Sequence, residues 1–187
     1  MAKLISRTYG DALFDLAMEE NSLDELWQES EAILTVLSEN PEFFALMSHP
    51  GITGEEKLQV VEEVFHGRVS DTMTGFLLLV AGKERFGDLP SILHYFIDRV
   101  KEQKKIGVAY VTTAAVLDKA GKEKVEKRLL ETTSYQKMEM HYAVDESLIG
   151  GMVIRIGDRV VDSSVRTKIE ELKRQLMSIQ LKSERCV

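Results

Sequence analysis

The spacing of apolar residues changes once along this chain, and that change divides it in two. Up to Val100, apolar side chains recur three and four residues apart, the repeat of helices that bury one stripe. Beyond the charged segment Lys101 to Lys105 they alternate, the repeat of strands. We place a boundary between residues 104 and 105. The expected fold class is α+β. A six-helix bundle spans residues 1–104, and a smaller α/β domain of order β-α-β-β-β-α spans residues 105–187. A chain of 187 residues has room for two such units. The charged segment reads either as a linker or as the end of the sixth helix.

In the first half, Ile5, Tyr9, Ala12, Leu13 and Leu16 form one helical stripe, which Asn21 ends. Ser22 with Glu25, and Thr53 with Glu56, have the spacing of capping boxes that open the second and fourth helices. Asn40-Pro41 starts a short third helix, His49-Pro50-Gly51 is a break, and Gly67 closes the fourth helix. Ser70 caps a fifth helix with Met73, Phe76, Leu77 and Val80 as its core stripe. Leu78 and Leu79 fall off that stripe. This helix is therefore either buried all round or keeps a second apolar face for a partner. Gly87-Asp88 precedes the sixth helix, whose wide stripe runs from Leu89 to Val100.

In the second half, Val108, Tyr110 and Thr112 alternate as a strand. Asp118 to Thr133 is a charged helix with Val125, Leu129 and Leu130 inward, and Met138, Met140, Tyr142 and Val144 alternate as the next strand. Gly150 and Gly151 then open a hairpin, because paired glycines before an apolar run mark a bend into a strand. Met152 to Ile156 is its first arm, Gly157-Asp158 its turn, and Val160 and Val161 lie on the returning arm. Asp162, Ser163 and Ser164 are helix caps, followed by Val165, Ile169, Leu172, Leu176 and Ile179 at helical spacing.

Composition removes several functions. A formal charge of −7 argues against a nucleic-acid partner and against direct docking on anionic lipid. The longest apolar run, Phe76 to Gly82, is far short of the ~20 residues of a membrane span. The charged N-terminal segment does not read as a signal peptide. The single cysteine, Cys186, rules out an internal disulfide. The four histidines, His49, His66, His94 and His141, fall in different elements without metal-ligand spacing. No phosphate loop, dinucleotide motif or Gly-x-Ser-x-Gly elbow occurs. We expect no catalytic residues, no cofactor and no metal. Besides an assembly protein, the residues leave open a free-standing peptide-binding module or a small hydrolase.

One ordered set of residues is more specific. Leu148, Gly150-Gly151, the alternating Met152 to Ile156 with Arg155, Gly157-Asp158, and Asp162, Ser164, Val165 and Arg166 follow one another in a fixed order. This order resembles the signature of the delta subunit of bacterial F-type ATP synthase, a relative of the mitochondrial oligomycin-sensitivity-conferring protein. Tyr9, Ala12, Leu13 and Ala17 resemble the family's first-helix pattern, with Gly10 where alanine is usual, at a cost of roughly 1 kcal/mol of helix propensity. The resemblance implies a non-catalytic stator subunit that links the catalytic head to the peripheral stalk during proton-driven ATP synthesis. It would lie peripherally on the cytoplasmic face of the cell membrane and touch the membrane only through the complex. It also implies that a groove between helices one and five, with Tyr9, Ala12, Leu13, Gly75 and Leu79, receives the N-terminal helix of an α subunit. The C-terminal domain would meet the C-terminal ends of the b subunits.

Overall fold

The computed structural model describes residues 2–49 and 51–183, with side chains described from Leu4 to Met177. Pro50 of the expected break, the Ile179 side chain and Cys186 lie outside the described residues. The chain divides between Gln103 and Lys104 into two compact units. Helix six runs through Gln103, so Lys101 continues the helix rather than starting a linker.

The first unit contains α1 (Ala2–Glu19), α2 (Leu23–Glu39), α3 (Pro41–Ser48), α4 (Gly54–Phe65), α5 (Asp71–Gly82) and α6 (Leu89–Gln103). A 3-10 turn at Phe86–Asp88 leads into α6. The predicted stripes meet in one core that includes Leu13, Leu26, Ile33, Val61, Met73, Leu77, Phe86 and Phe96. Each such side chain contributes roughly 1.5–3 kcal/mol by leaving water. α6 packs on α1 and α2, and α4 packs on α5.

Gly10 is explained by the α1–α6 contact. A Cβ there would sit 2.4 Å from Cδ1 of Tyr95, so the missing methyl lets the ring lie on α1. From that position the Tyr95 hydroxyl donates to Asp11 at 3.0 Å. Burial and this hydrogen bond raise the tyrosine pKa.

The two expected capping boxes have different outcomes. Thr53 and Glu56 form theirs in full, and the Thr53 N–H and hydroxyl bonds hold the Glu56 carboxyl below its ordinary pKa. The Ser22 box does not form. Asn21 takes a left-handed turn at φ 55, which sends the Ser22 N–H to the Ala17 carbonyl at 3.0 Å. That N–H is the donor the Glu25 carboxylate would need. Ser22 itself sits at φ −101, ψ 18, away from the extended geometry of a capping serine.

The second unit is a four-stranded sheet with two helices. β1 (Ile106–Thr113), α7 (Lys119–Thr132), β2 (Lys137–Val144), β3 (Met152–Ile156), β4 (Arg159–Asp162) and α8 (Val165–Ser183) follow in order. The sheet order is β2-β1-β3-β4. β1 and β2 are parallel, and the crossover between them is α7. β3 is antiparallel to both β1 and β4. One face carries Ala109, Val111, Met138, Met140, Ile154 and Ile156, and Val125, Leu129 and Leu130 of α7 pack there. The residues that reveal β1 in the sequence, Val108, Tyr110 and Thr112, lie on the opposite, open face. Its buried face is formed by Gly107, Ala109, Val111 and Thr113.

Candidate functional site

Residues of α1 and α5 line an open apolar groove of about 460 Å³. Tyr9, Ala12, Leu13, Gly75 and Leu79 all line it. Leu13 is only 1% exposed and forms the floor, where groove and core share a wall. Gly75 is exposed, and a Cβ placed there would meet nothing within 4 Å, so another backbone can approach closely. Leu79 is 50% exposed, whereas Leu78 is half-buried against the core. The two leucines off the α5 stripe therefore divide, one toward folding and one toward the groove.

The sequence reading missed Thr8, Glu20 and Asp71 in this lining. Glu20 is the residue after α1, and its carboxylate accepts a 2.8 Å bond from the Thr72 hydroxyl on α5. The two helices are thereby joined at one end of the groove. Leu16, read as part of the α1 stripe, is 37% exposed and also faces the groove. Helical spacing could have found these residues, since Leu16 and Glu20 continue the Tyr9, Ala12, Leu13 surface by one-turn steps.

Five of the eight signature residues, Gly150, Gly151, Asp162, Val165 and Arg166, gather at the start of α8, while Arg155, Gly157 and Asp158 stand at the turn end of the hairpin. Gly151 has φ +77, and a Cβ there would lie 2.4 Å from the Ser163 carbonyl oxygen. Gly150 stands against Val165, 3.0 Å from its Cγ2 to a Cβ position. The Gly150 carbonyl accepts the Val165 N–H at 2.9 Å, and the Met152 carbonyl accepts the Ser163 N–H at 3.0 Å. The signature glycines thus let one backbone segment lie directly on another and satisfy a helix N–H that otherwise lacks a partner.

Asp162 accepts the Ser164 N–H at 2.8 Å and the Thr167 hydroxyl at 2.7 Å. These bonds, the backbone one foremost, hold its carboxyl below the ordinary carboxylate value. Ser164 is fully buried and its hydroxyl accepts the Thr167 N–H at 3.2 Å. Arg155 braces the hairpin by donating to the Gly157 carbonyl at 3.3 Å, while Asp158 completes the exposed turn. Arg166 bonds Glu170 and Ser147, each at 3.4 Å. The residues at the start of α8 are thus tied to one another by backbone and side-chain hydrogen bonds, and the other three shape the hairpin turn.

α8 forms as the spacing predicts but leaves its stripe open. Val165, Ile169, Leu172 and Leu176 form the predicted stripe, yet they are 37%, 51%, 58% and 67% exposed. The helix packs chiefly through its first turn, beside the 3-10 turn at Glu146–Leu148. The histidines remain separate: His141 stacks on Tyr110 at 4.9 Å between ring centroids, and its Nε2 is 3.0 Å from Glu139. Among the described residues, no three His, Cys, Asp or Glu side chains are grouped to hold a metal. No helix among them is long and apolar enough to cross a membrane.

Comparison with known proteins gives a family. Residues 5–176 match the profile of the family described as ATP synthase delta (OSCP) subunit. The chain is 50% identical over 181 residues to ATP synthase subunit delta of Lachnoclostridium phytofermentans, covering 97% of this chain and 100% of the relative. It is 30% identical to ATP synthase subunit delta of a Prochlorococcus marinus strain, covering 90% and 93%. A chain in the cryo-EM structure of the Toxoplasma gondii mitochondrial ATP synthase hexamer has the same fold, with a TM-score of 0.72 at 22% identity over 92% of this chain and 97% of that one. With a family match over nearly its whole length, the chain belongs to the ATP synthase delta (OSCP) family, non-catalytic stator components of the F-type ATP synthase.

Proposed function

We propose that this chain clamps the catalytic head to the peripheral stalk through two separate docking surfaces, one on each compact unit. The α1/α5 groove receives the N-terminal helix of an α subunit. The second unit meets the C-terminal ends of the b subunits. The clamp acts by binding alone while the rotor turns, and it neither binds nor hydrolyses ATP. It sits at the cytoplasmic face of the cell membrane and reaches the membrane only through the complex.

The observation that carries this reading is the exposure of Leu79 on an otherwise core-facing helix, above a groove with a glycine in its wall. An amphipathic helix laid in such a groove covers the apolar surface that folding leaves open. The test is calorimetric titration of an α-subunit N-terminal peptide into wild type and Leu79→Asp. A charge in the dry interface should cost at least ~2 kcal/mol, about thirtyfold in Kd. The melting temperature should move little, because the Leu79 side chain already faces water. Equal affinities, or a variant that unfolds, would remove Leu79 from the site.

A further inference from the structure

The groove lined by α1 and α5 is charged at one end only. Glu20 and Asp71 are the charged residues of its lining, and both are exposed. The bond from the Thr72 hydroxyl to the Glu20 carboxylate, 2.8 Å long, sets the end of α1 beside the first turn of α5. Asp71 precedes Thr72, so both carboxylates stand at this end. Tyr9 lies about three turns back along α1, and Leu79 about two turns further along α5. The lining there is uncharged.

The two carboxylates, rather than the helix backbones, set the sign of that end. The negative C-terminal end of α1 and the positive N-terminal end of α5 meet at the Glu20–Thr72 bond and offset one another. Among the described residues, neither carboxylate has a cation of this chain as its partner. The surrounding unit adds to the same field, since residues 1–103 carry 8 basic and 19 acidic side chains, a formal −11. Thr72 already holds the Glu20 side chain, so less ordering remains to be done when a partner arrives.

A helix laid in the groove has two unlike ends. Its first turn presents unpaired N–H groups and the positive end of its dipole, and its last turn presents unpaired carbonyls and the negative end. With the first turn beside Glu20 and Asp71, opposite charges meet. In the reverse direction, the last carbonyls would face two carboxylates, which disfavours binding. Gly75 stands one turn from Asp71 along α5, and a Cβ there would meet nothing within 4 Å. That opening is where a large apolar side chain fits, about one turn in from the start of the docked helix.

We propose that Glu20 and Asp71 are the residues that fix the direction of the docked helix. Its N-terminal end, with any lysine or arginine beside it, lies against these carboxylates, and its later turns pass over Gly75 toward Leu79. This rests on the reading of the groove as the site of the α-subunit N-terminal helix.

The test uses the full chain, isotope-labelled for NMR, and a synthetic peptide of the α-subunit N-terminal helix. The peptide carries a nitroxide on a cysteine added at one end or at the other. The N-terminal nitroxide should broaden the amide signals of Glu20, Asp71 and Thr72 more than those of Tyr9 and Leu79, and the C-terminal nitroxide should do the reverse. The double variant Glu20→Gln, Asp71→Asn should weaken binding about threefold to tenfold at low salt. That difference should fall below about twofold near 0.5 M salt, where the Debye length is roughly 4–5 Å. Glu39→Gln with Glu42→Gln removes the same charge outside the groove and should change binding less than about twofold. The opposite broadening pattern, equal broadening by the two labels, or a Glu20/Asp71 double variant that binds like wild type at low salt would overturn the proposal while the groove reading stands. No binding, or broadening confined to other surfaces, would overturn the groove reading itself.

Discussion

Replacing Gly151 with alanine tests whether the glycine pair works through backbone contact. Two costs add. An L-residue held at φ +77 loses about 1–2 kcal/mol relative to glycine. The new Cβ would also lie 2.4 Å from the Ser163 carbonyl oxygen, and about 3.1 Å from Ser163 C and Ser164 Cα. All three are backbone atoms, so no side-chain rotation relieves the contact. Moving them disturbs the Ser163-to-Met152 and Val165-to-Gly150 hydrogen bonds, each with a net contribution of about 0.5–1.5 kcal/mol. We expect a total loss of about 2–4 kcal/mol from the second unit. Gly150→Ala is the internal control. Its Cβ meets only a methyl of Val165 at 3.0 Å, and Gly150 lies outside the left-handed region, so less than about 1 kcal/mol is expected. Urea unfolding separates the units, because the single tryptophan, Trp27, lies on α2 while far-UV circular dichroism reports both. Gly151→Ala should move part of the dichroism transition to lower urea and leave the Trp27 midpoint in place. Equal midpoints for the two alanine variants, or a larger effect at Gly150, would refute the argument from backbone contact.

Two other outcomes follow from the packing and the caps. Gly10→Ala gains about 1 kcal/mol of helix propensity but forces the Tyr95 ring off α1, an overpacking cost of about 1–3 kcal/mol, so the net change in urea unfolding should be destabilising. Combining it with Tyr95→Ala should restore the helix gain. The folded Asp162 carboxyl titrates below its ordinary value of about 3.9, so its cap contributes fully above that pH and is lost as pH falls through the folded value. Asp162→Asn should therefore be less stable than wild type near neutrality, and the gap should close below about pH 4 in melting curves.

Much of the helical half is legible in the sequence because each stripe has one burial solution. Met73, Phe76, Leu77 and Val80 have to face inward together, and they do. The groove is legible for the converse reason: Leu79 is apolar where no core position requires it. Ser22 misleads because capping sequence and capping geometry separate when the preceding helix ends in a left-handed Asn21. In the strand half, β1 is apolar on both faces, so alternation finds the strand but does not select which side is buried. The α8 stripe has the spacing of a core helix, and periodicity alone does not distinguish a surface buried by folding from one left for another chain.

The central position of β1 has a consequence for synthesis. Its hydrogen-bonding neighbours on both sides, β2 and β3, are encoded after it, at residues 137–144 and 152–156. Until those segments have left the ribosome, Ile106–Thr113 is a run rich in β-formers with two empty edges. The strand that ends in the middle of the finished sheet is thus open on both edges to pairing with another chain until its partners emerge. Lys104 and Lys105 stand immediately before it. Placed there, their charges repel a second copy in register, as gatekeeper residues do beside unavoidable apolar strands.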